Sequence, residues 1–396
     1  MPATLIANTR IFDGVSVVTE SGHVLINAGC ISQISLREPL SAPEGCSVVD
    51  ATGCTLLPGL IDAHTHVYQD VGLLETSMQY GVTTVFDMHN EPEWFKNISA
   101  VTRQRKDIAD VKSCGFGATI KNGWPAAIVK LVSREPNVEE RISKWPDLVD
   151  KQSIDNFIAR NRAAGASFTK LMQEDGHTMT LPFPTKPVPT PSLEIQRAIV
   201  DASHDKGMLT VAHALTNHST LSVLEAGVDG LAHASIDPIT EDVIKAFKKN
   251  NAFLIPTLAV HASCSGEEQE SRERFASSLQ GPEKEHLLGC LCITRKDLSI
   301  KTVGTDTSTE LLGTRAGASV HHELWMYVNR CRFTPQEALC SATSKVADRF
   351  KLSDRGKIET GRLADLLLVS GNPVESIDAI GDIQGVWRNG ERLARK

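Results

Sequence analysis

Six side chains of this 396-residue chain are of types that bind divalent cations or move protons: His64, His66, Lys170, His213, His233 and Asp306. Imidazole nitrogen and carboxylate oxygen suit an ion such as zinc, with three or four protein ligands and a position left open for water. His64 and His66 are two residues apart, which puts both side chains on one side of an extended strand, within reach of one ion. Asp306, beside an activated water, can take its proton. Lys170 is the odd member, because an ammonium is repelled by cations. It fits only when neutralised, or converted to a carbamate whose two oxygens bridge a pair of metals. Singly, each residue is weak: a lone His-x-His, a lone lysine or a Gly-Thr-Asp turn has a bland explanation on the surface or in the core. The case rests on where the six fall.

They fall at the ends of strand-like segments. Between residues 58 and 350 the chain alternates strand and helix patterns, the mark of parallel strands with crossover helices. Eight segments read as strands: Ile61 to His66, Val82 to Phe86, Ser113 to Ala118, Phe168 to Met172, Leu209 to His213, Gly230 to His233, Phe253 to Thr257 and Thr302 to Asp306. Glu194 to Lys206, Ser219 to Ala226 and Pro335 to Ala342 read as amphipathic helices. The expected fold is therefore α/β, a (β/α)8 TIM barrel whose catalytic face is the C-terminal end of its strands. His64 and His66 close the first strand, Lys170 lies near the end of the fourth, His213 closes the fifth, His233 the sixth and Asp306 the eighth, so all six meet at one mouth. The Pro-rich stretch from Leu181 to Pro191 reads as a long loop over it.

The two ends of the chain are different. Thr4 to Ile6, Val24 to Ile26, Ile31 to Ile34, Ser47 to Asp50, Asp365 to Val369 and Gly385 to Arg388 are short β-rich pieces, and Asn389-Gly390 is a tight hairpin signal. Residues 1–57 and 351–396 are expected to form one small β domain around an inserted barrel of residues 58–350.

Other residues could face the mouth and touch substrate: Tyr68 and His89 after strands one and two, His177 after strand four, His261 after strand seven, and Arg315 after strand eight, whose guanidinium could hold a carboxylate. Each is equally compatible with an ordinary loop residue. His204 and His218 lie on helical stretches and are expected to face solvent.

Composition narrows the function class. With 41% hydrophobic and 22% charged residues, the chain has the means to bury a large core. A net charge of −7 and the lack of any basic cluster argue against a nucleic-acid or membrane-surface binder. No 18-residue apolar run and no secretory pattern are seen, and nine scattered cysteines read as reduced thiols, so a cytoplasmic location is expected. Cys290 and Cys292 form only a C-x-C, without the second pair a structural zinc site needs. The sequons at Asn97 and Asn217 read as chance.

Together these segments resemble the amidohydrolase superfamily. LPGLIDAHTH (Leu57 to His66) looks like its opening motif and GVTTVFDM (Gly81 to Met88) like its second strand. VAHA (Val211 to Ala214), LEAGVDGLAHAS (Leu224 to Ser235), IPTL (Ile255 to Leu258) and VGTDT (Val303 to Thr307) follow in the family's order. TPQEALCSAT (Thr334 to Thr343) and GKIETGRLADLLLV (Gly356 to Val369) resemble its closing segments. The nearest flavour is the branch of imidazolonepropionase-like proteins, Xaa-Pro dipeptidases and ochratoxin amidase. The resemblance implies a small β-sandwich built from the termini and a two-metal centre, with zinc as the expected metal. It implies one ion on His64, His66 and Asp306, the other on His213 and His233, and Lys170 carboxylated and bridging both. The activity it implies is hydrolysis of an amide-like or ester bond in a small molecule such as an N-acyl amino acid, dipeptide or cyclic amide. A lactonase, or a decarboxylase or other lyase at the same site, stays open, although Lys170 speaks against a one-metal decarboxylase. Barrels of this type often pair, so a homo-oligomer is compatible. Two departures touch substrate contacts. Where relatives often carry a His-Gly step upstream of Glu323 this chain has Gly317-Ala318-Ser319, with His321 and His322 nearby instead. Strand six ends in His233-Ala234 where His-Gly is common.

Overall fold

The computed structural model describes residues 2–133, 135–175, 187–264, 301–308 and 313–394. The two termini meet in one mixed sheet. Its strands run in the spatial order Glu391–Arg392, Ile383–Arg388, Leu366–Ser370, Cys54–Pro58, Thr4–Phe12, Val17–Asn27 and Cys30–Ser35. Ser47–Asp50 lies parallel to the first half of Thr4–Phe12. The expected sandwich is thus one continuous eight-stranded sheet. The apolar run LLLV shows how it is seated. Leu366 and Leu368 enter a core with Ile6, Ile11, Val24 and Trp387, whereas Leu367 and Val369 enter a larger cluster with Leu60, Val82 and Leu324. Alternate residues point to opposite faces and both faces are covered, so the strand is apolar throughout. Asn389 and Gly390 both take positive φ, 49° and 76°, and close the expected tight hairpin.

The middle of the chain carries parallel strands in two groups. Leu60–Thr65, Val82–Asp87 and Asp110–Ser113 form one; Phe168–Met172, Leu209–His213, Gly230–Ala232 and Phe253–Ile255 form the other. Single parallel bridges, Ala118 to Leu171, Leu254 to Lys301 and Thr65 to Thr307, link the edges of the two groups and the segment 301–307. Helices Leu193–His204, Asn217–Ala226 and Pro335–Ser341 stand within two residues of their expected bounds. Each starts on a Ser or Thr whose hydroxyl accepts a first-turn N–H, a cap worth about 1 kcal/mol.

Two expected strands differ. The third lies at Asp110–Ser113, ahead of Ser113 to Ala118. Beyond Ser113 side chains interrupt the ladder: Cys114 N and Ala118 N still donate to Asp87 O and Lys170 O, but between them Asn161 accepts from Phe116 N and donates to Cys114 O and Phe116 O, and His89 Nδ1 accepts from Gly117 N. The eighth, Thr302 to Asp306, is not a regular strand. Its backbone still bonds both neighbours, Thr302 N donating to Leu254 O, Ala63 N to Val303 O and Asp306 N to His64 O, but Val303 N donates to the helix carbonyl of Ser341 and Thr305 N to the Asp62 carboxylate, which interrupts the ladder. Gly304 is required there, because a Cβ would lie 2.3 Å from Ile255 Cγ2 and 2.9 Å from His64 N.

On several strands an apolar residue and a chemically capable one share a side. Phe168 precedes Lys170, and Leu209 and Val211 precede His213. Phe168, Leu209, Val211, Phe253 and Ile255 pack together with Phe86 and Phe350. The polar residues come next along the strands, on the far side of this core. Among the described residues no helix is long and apolar enough to cross a membrane.

Candidate metal centre

The first strand delivers two imidazoles to one carboxylate. His64 Nε2 lies 3.2 Å and His66 Nε2 3.1 Å from Asp306 Oδ1. His233 Nδ1 stands 4.0 Å from Asp306 Oδ2. His64, His233 and Asp306 each offer a ligand atom within 4.8 Å of the others, a group able to hold a cation. His213 joins through His233, their ring centroids 4.5 Å apart. Lys170 is 1% exposed and its Nζ has no hydrogen-bond partner among the described residues. It lies on the strand Phe168–Met172 opposite Val211 of the strand that ends in His213, and its charge acts on Asp306 and His64. The structure therefore brings all six sequence-selected residues to one place.

The backbone is unusual where these side chains are aimed. His233, Thr257, Asp306 and Tyr68 have φ of 77°, 51°, 57° and 50°. Positive φ costs a non-glycine residue about 1–3 kcal/mol, and a β-branched threonine is a clear outlier. Contacts hold these turns. Thr257 Oγ1 is 2.9 Å from His233 Nδ1 and fixes that ring. Asp62 accepts from His64 N, Thr305 N and Thr305 Oγ1 at 3.0, 3.1 and 2.7 Å, locking the first strand to the Asp306 segment.

Electrostatics favour the neutral form of His64, His213 and His233 and the ionised form of Asp306. Burial, then the Lys170 charge, lowers His64 to about 3. Burial and His213 hold His233 well below its ordinary value, and burial also lowers His213 against the pull of Glu174. Burial raises Asp306, but His64, His66 and His233 outweigh it and hold the carboxyl well below the usual range. Burial lowers the Lys170 amine to about 7. Neutral imidazoles, an ionised carboxylate and an amine able to shed its proton form a donor set that fits divalent cations.

The weaker candidates divide. Tyr68 stacks on His66 with centroids 6.0 Å apart. His261, on the helix Leu258–Cys264, lies 6.2 Å from His233, its Nε2 buried and unpartnered. Glu323 caps that helix, accepting from Leu258 N and Ala259 N at 3.0 and 2.7 Å. His89 is buried near His66 and Lys170. Arg315 is exposed ahead of the helix Ala318–Asn329, its backbone N–H donating to Ser319 Oγ. His177, Cys290 and Cys292 lie outside the described residues. As expected, His204 and His218 are exposed.

The sequence segment typical of the "Amidohydrolase family" spans residues 55–393. The chain belongs to the amidohydrolase family. Over 93% of its length it is 22% identical to a dihydroorotase from Ruminiclostridium cellulolyticum, covering 89% of that protein. A stretch of 63 residues is 36% identical to a dihydroorotase from Pelobacter propionicus, spanning 16% of this chain and only 14% of the relative. The fold matches a Xaa-Pro dipeptidase crystallised with methionine in its active site, with TM-score 0.78 and 20% identity over 98% of this chain and 99% of the other. It also matches A. niger ochratoxinase, with TM-score 0.74 and 18% identity over 99% and 95%. Both likenesses are of fold.

This amidohydrolase also has site residues that sequence reasoning did not single out. Asp62 and Thr305 sit inside LIDAHTH and VGTDT, two and one residues from candidate ligands, and that proximity was the available signal. Thr257 gave none, being an ordinary residue of IPTL. Glu174 is 2% exposed and its Oε2 lies 3.4 Å from His213 Nε2, an ion-pair distance without hydrogen-bond alignment.

Proposed function

We propose that this amidohydrolase cleaves an amide-like C–N bond, or an ester, of a small molecule at a centre of two divalent ions, zinc being the expected metal. The observation that carries the proposal is the convergence of His64, His66 and His233 on Asp306 with the unpartnered Lys170 amine buried beside them. In this reading His64, His66 and Asp306 hold one ion and His213 and His233 the other. Lys170, as a carbamate, would complete the ligand set. Its depressed pKa supports this, because the neutral amine adds to carbon dioxide, forming an N–C bond and releasing one proton. When bound, the ions polarise the scissile carbonyl and bring the pKa of a water near neutrality.

The chain's own groups do the rest. Asp306 takes a proton from the attacking water and returns it to the departing nitrogen. Thr257 orients the His233 ring, and Asp62 holds the backbone that carries His64 and Asp306. Tyr68, His89 and His261 are the groups placed to meet substrate. We read the parallel strands and their linking bridges as a (β/α)8 barrel of residues 58–350, set against a small β domain of residues 1–57 and 351–396. The substrate class is an N-acyl amino acid, dipeptide or cyclic amide, and the name of the Xaa-Pro dipeptidase of like fold supports the dipeptide.

The test is metal analysis with a screen of N-acyl amino acids, dipeptides, lactones and cyclic imides. Two ions per chain and metal-dependent turnover are expected, and Asp306→Asn should lose about 10²–10⁴ of it while unfolding at an unchanged temperature. Undiminished turnover in that variant refutes the assignment.

A further inference from the structure

A run of ring contacts leads away from the metal centre on one side. Beyond Tyr68, Trp94 meets its ring edge-on with centroids 6.3 Å apart. The Arg141 guanidinium carbon lies 5.2 Å from the centre of Trp94 and 5.8 Å from that of Trp145. Trp145 in turn packs edge-on against His89 at 5.0 Å. Arg141 is committed to Glu91 and Glu135 at 3.0 and 2.9 Å, so it braces the two indoles and is not an open anion site. Tyr68, Trp94 and Trp145 are each only partly buried. The result is a braced aromatic wall that starts at the candidate ligand His66.

His89 stands where this run ends. Its Nδ1 accepts the Gly117 N–H at 3.1 Å. A backbone amide can only donate, so Nδ1 carries the lone pair and the ring proton is on Nε2. That Nε2–H has no partner among the described residues, and the side chain is only 2% exposed. A purely structural histidine, holding the Gly117 loop, would account for Nδ1. It leaves a buried donor unsatisfied, which folded proteins avoid except at sites of function. Met88 N donates to Thr65 O at 2.9 Å, so His89 follows the end of the strand next to the one that His66 follows. Burial lowers its pKa to about 3, so the ring is a neutral donor.

We propose that the wall and the His89 Nε2–H form the subsite that selects substrate, taking an amide that carries an aromatic ring and an acceptor oxygen. The ring lies against Trp94, Trp145 and Tyr68, and His89 donates to the oxygen. The position of the scissile bond beside this subsite rests on the hydrolase reading given above. Neutral indoles and a neutral imidazole favour a flat, weakly hydrated group over a second charge.

The experiment measures binding to the full, metal-loaded chain by calorimetry, with N-benzoylglycine, N-acetylphenylalanine and N-acetylglycine as probes. At least one aromatic probe should bind about ten-fold tighter than N-acetylglycine, and Trp145→Leu should erase that preference. His89→Leu should weaken the aromatic probe about ten-fold, and His89→Gln, which keeps an N–H donor, should restore most of it. Equal binding of all three probes overturns the proposal, as does wild-type affinity in His89→Leu. Should His89→Leu not fold, the probe comparison and Trp145→Leu decide alone. Binding is read without turnover. A chain that prefers aryl probes but hydrolyses nothing would sink the hydrolase reading and leave the subsite standing, whereas metal-dependent hydrolysis with no aryl preference would sink the subsite alone.

Discussion

Two buried polar clusters serve the same parallel strands and are built on opposite rules. The first lies toward the strand starts. Arg355, 6% exposed, donates to Thr84 Oγ1 and Asp110 Oδ2 at 2.9 and 2.8 Å and pairs with Asp365 at 3.4 Å. Arg388 donates to the carbonyls of Thr102, Arg105 and Ile108 at 3.0, 2.7 and 3.1 Å and pairs with Asp110 at 3.2 Å. Opposite charges are matched, and the cluster ties the terminal sheet to the strands. The second lies at the strand ends, where His64 Nδ1, His66 Nδ1, His89 Nε2, Lys170 Nζ and His261 Nε2 are buried without hydrogen-bond partners among the described residues, and His213 Nε2 has only the 3.4 Å ion-pair approach of Glu174. A buried polar atom left unmatched costs about 1–3 kcal/mol. The first cluster leaves Asp365 Oδ2 and Arg388 Nε without a hydrogen bond but sets every charge beside an opposite one; the second leaves ring nitrogens and an amine open, which fits the ligand-holding role proposed above.

The contrast breaks most sharply under substitution. Asp306→Asn should remove nearly all turnover with little change in unfolding, as argued above. Arg355→Met should do the reverse. It leaves Asp110 and Asp365 short of a buried countercharge, and losing one member of such a pair costs about 3–5 kcal/mol. Chemical denaturation should show that loss, while kcat/KM of the folded protein stays within about two-fold. A variant of the first cluster that loses activity at full stability would erase the distinction.

Both clusters differ in how far the sequence announces them. The strand-end residues were legible because a chemically capable side chain closing a strand, repeated along the chain, is a local pattern. Their supports were not. Thr257 steadies His233 across 24 residues, and Asp62 reaches Thr305 across 243, so only the fold makes them neighbours. The same limit explains the misplaced third strand: Ser113 to Ala118 has a strand's composition, but Asn161, 45 residues from Phe116, takes the hydrogen bonds at its middle. The Arg355 and Arg388 cluster was not visible at all, since isolated arginines in terminal segments read as surface charge. The terminal strands, by contrast, were plain from apolar runs and the Asn-Gly turn, which are local.

Acid provides a gentler separation. At the strand ends burial lowers His261 to about 4, below its ordinary 6.5. The folded state then binds its proton less readily than the unfolded state. Stability from this group is complete above pH 6.5 and is lost as the pH falls toward 4. At the strand starts Asp110 is raised by burial, but Lys112, Arg355 and Arg388 bring it down to about 2, so its contribution fails only below pH 3.8. Between pH 7 and 5 the metal-free protein should therefore weaken through the first group and not the second. Asp62 and Asp87, both raised to about 7 by burial, work in the opposite direction, so the difference between variants is the diagnostic quantity. Relative to wild type, metal-free His261→Phe should keep about 2 kcal/mol more of its stability on going from pH 7 to pH 5. Asp110→Asn should be uniformly less stable across that range with the wild-type slope. Parallel curves for His261→Phe and wild type in urea titrations would mean that His261 meets solvent or a partner in the metal-free protein, and the strand-end cluster would lose one of its open donors.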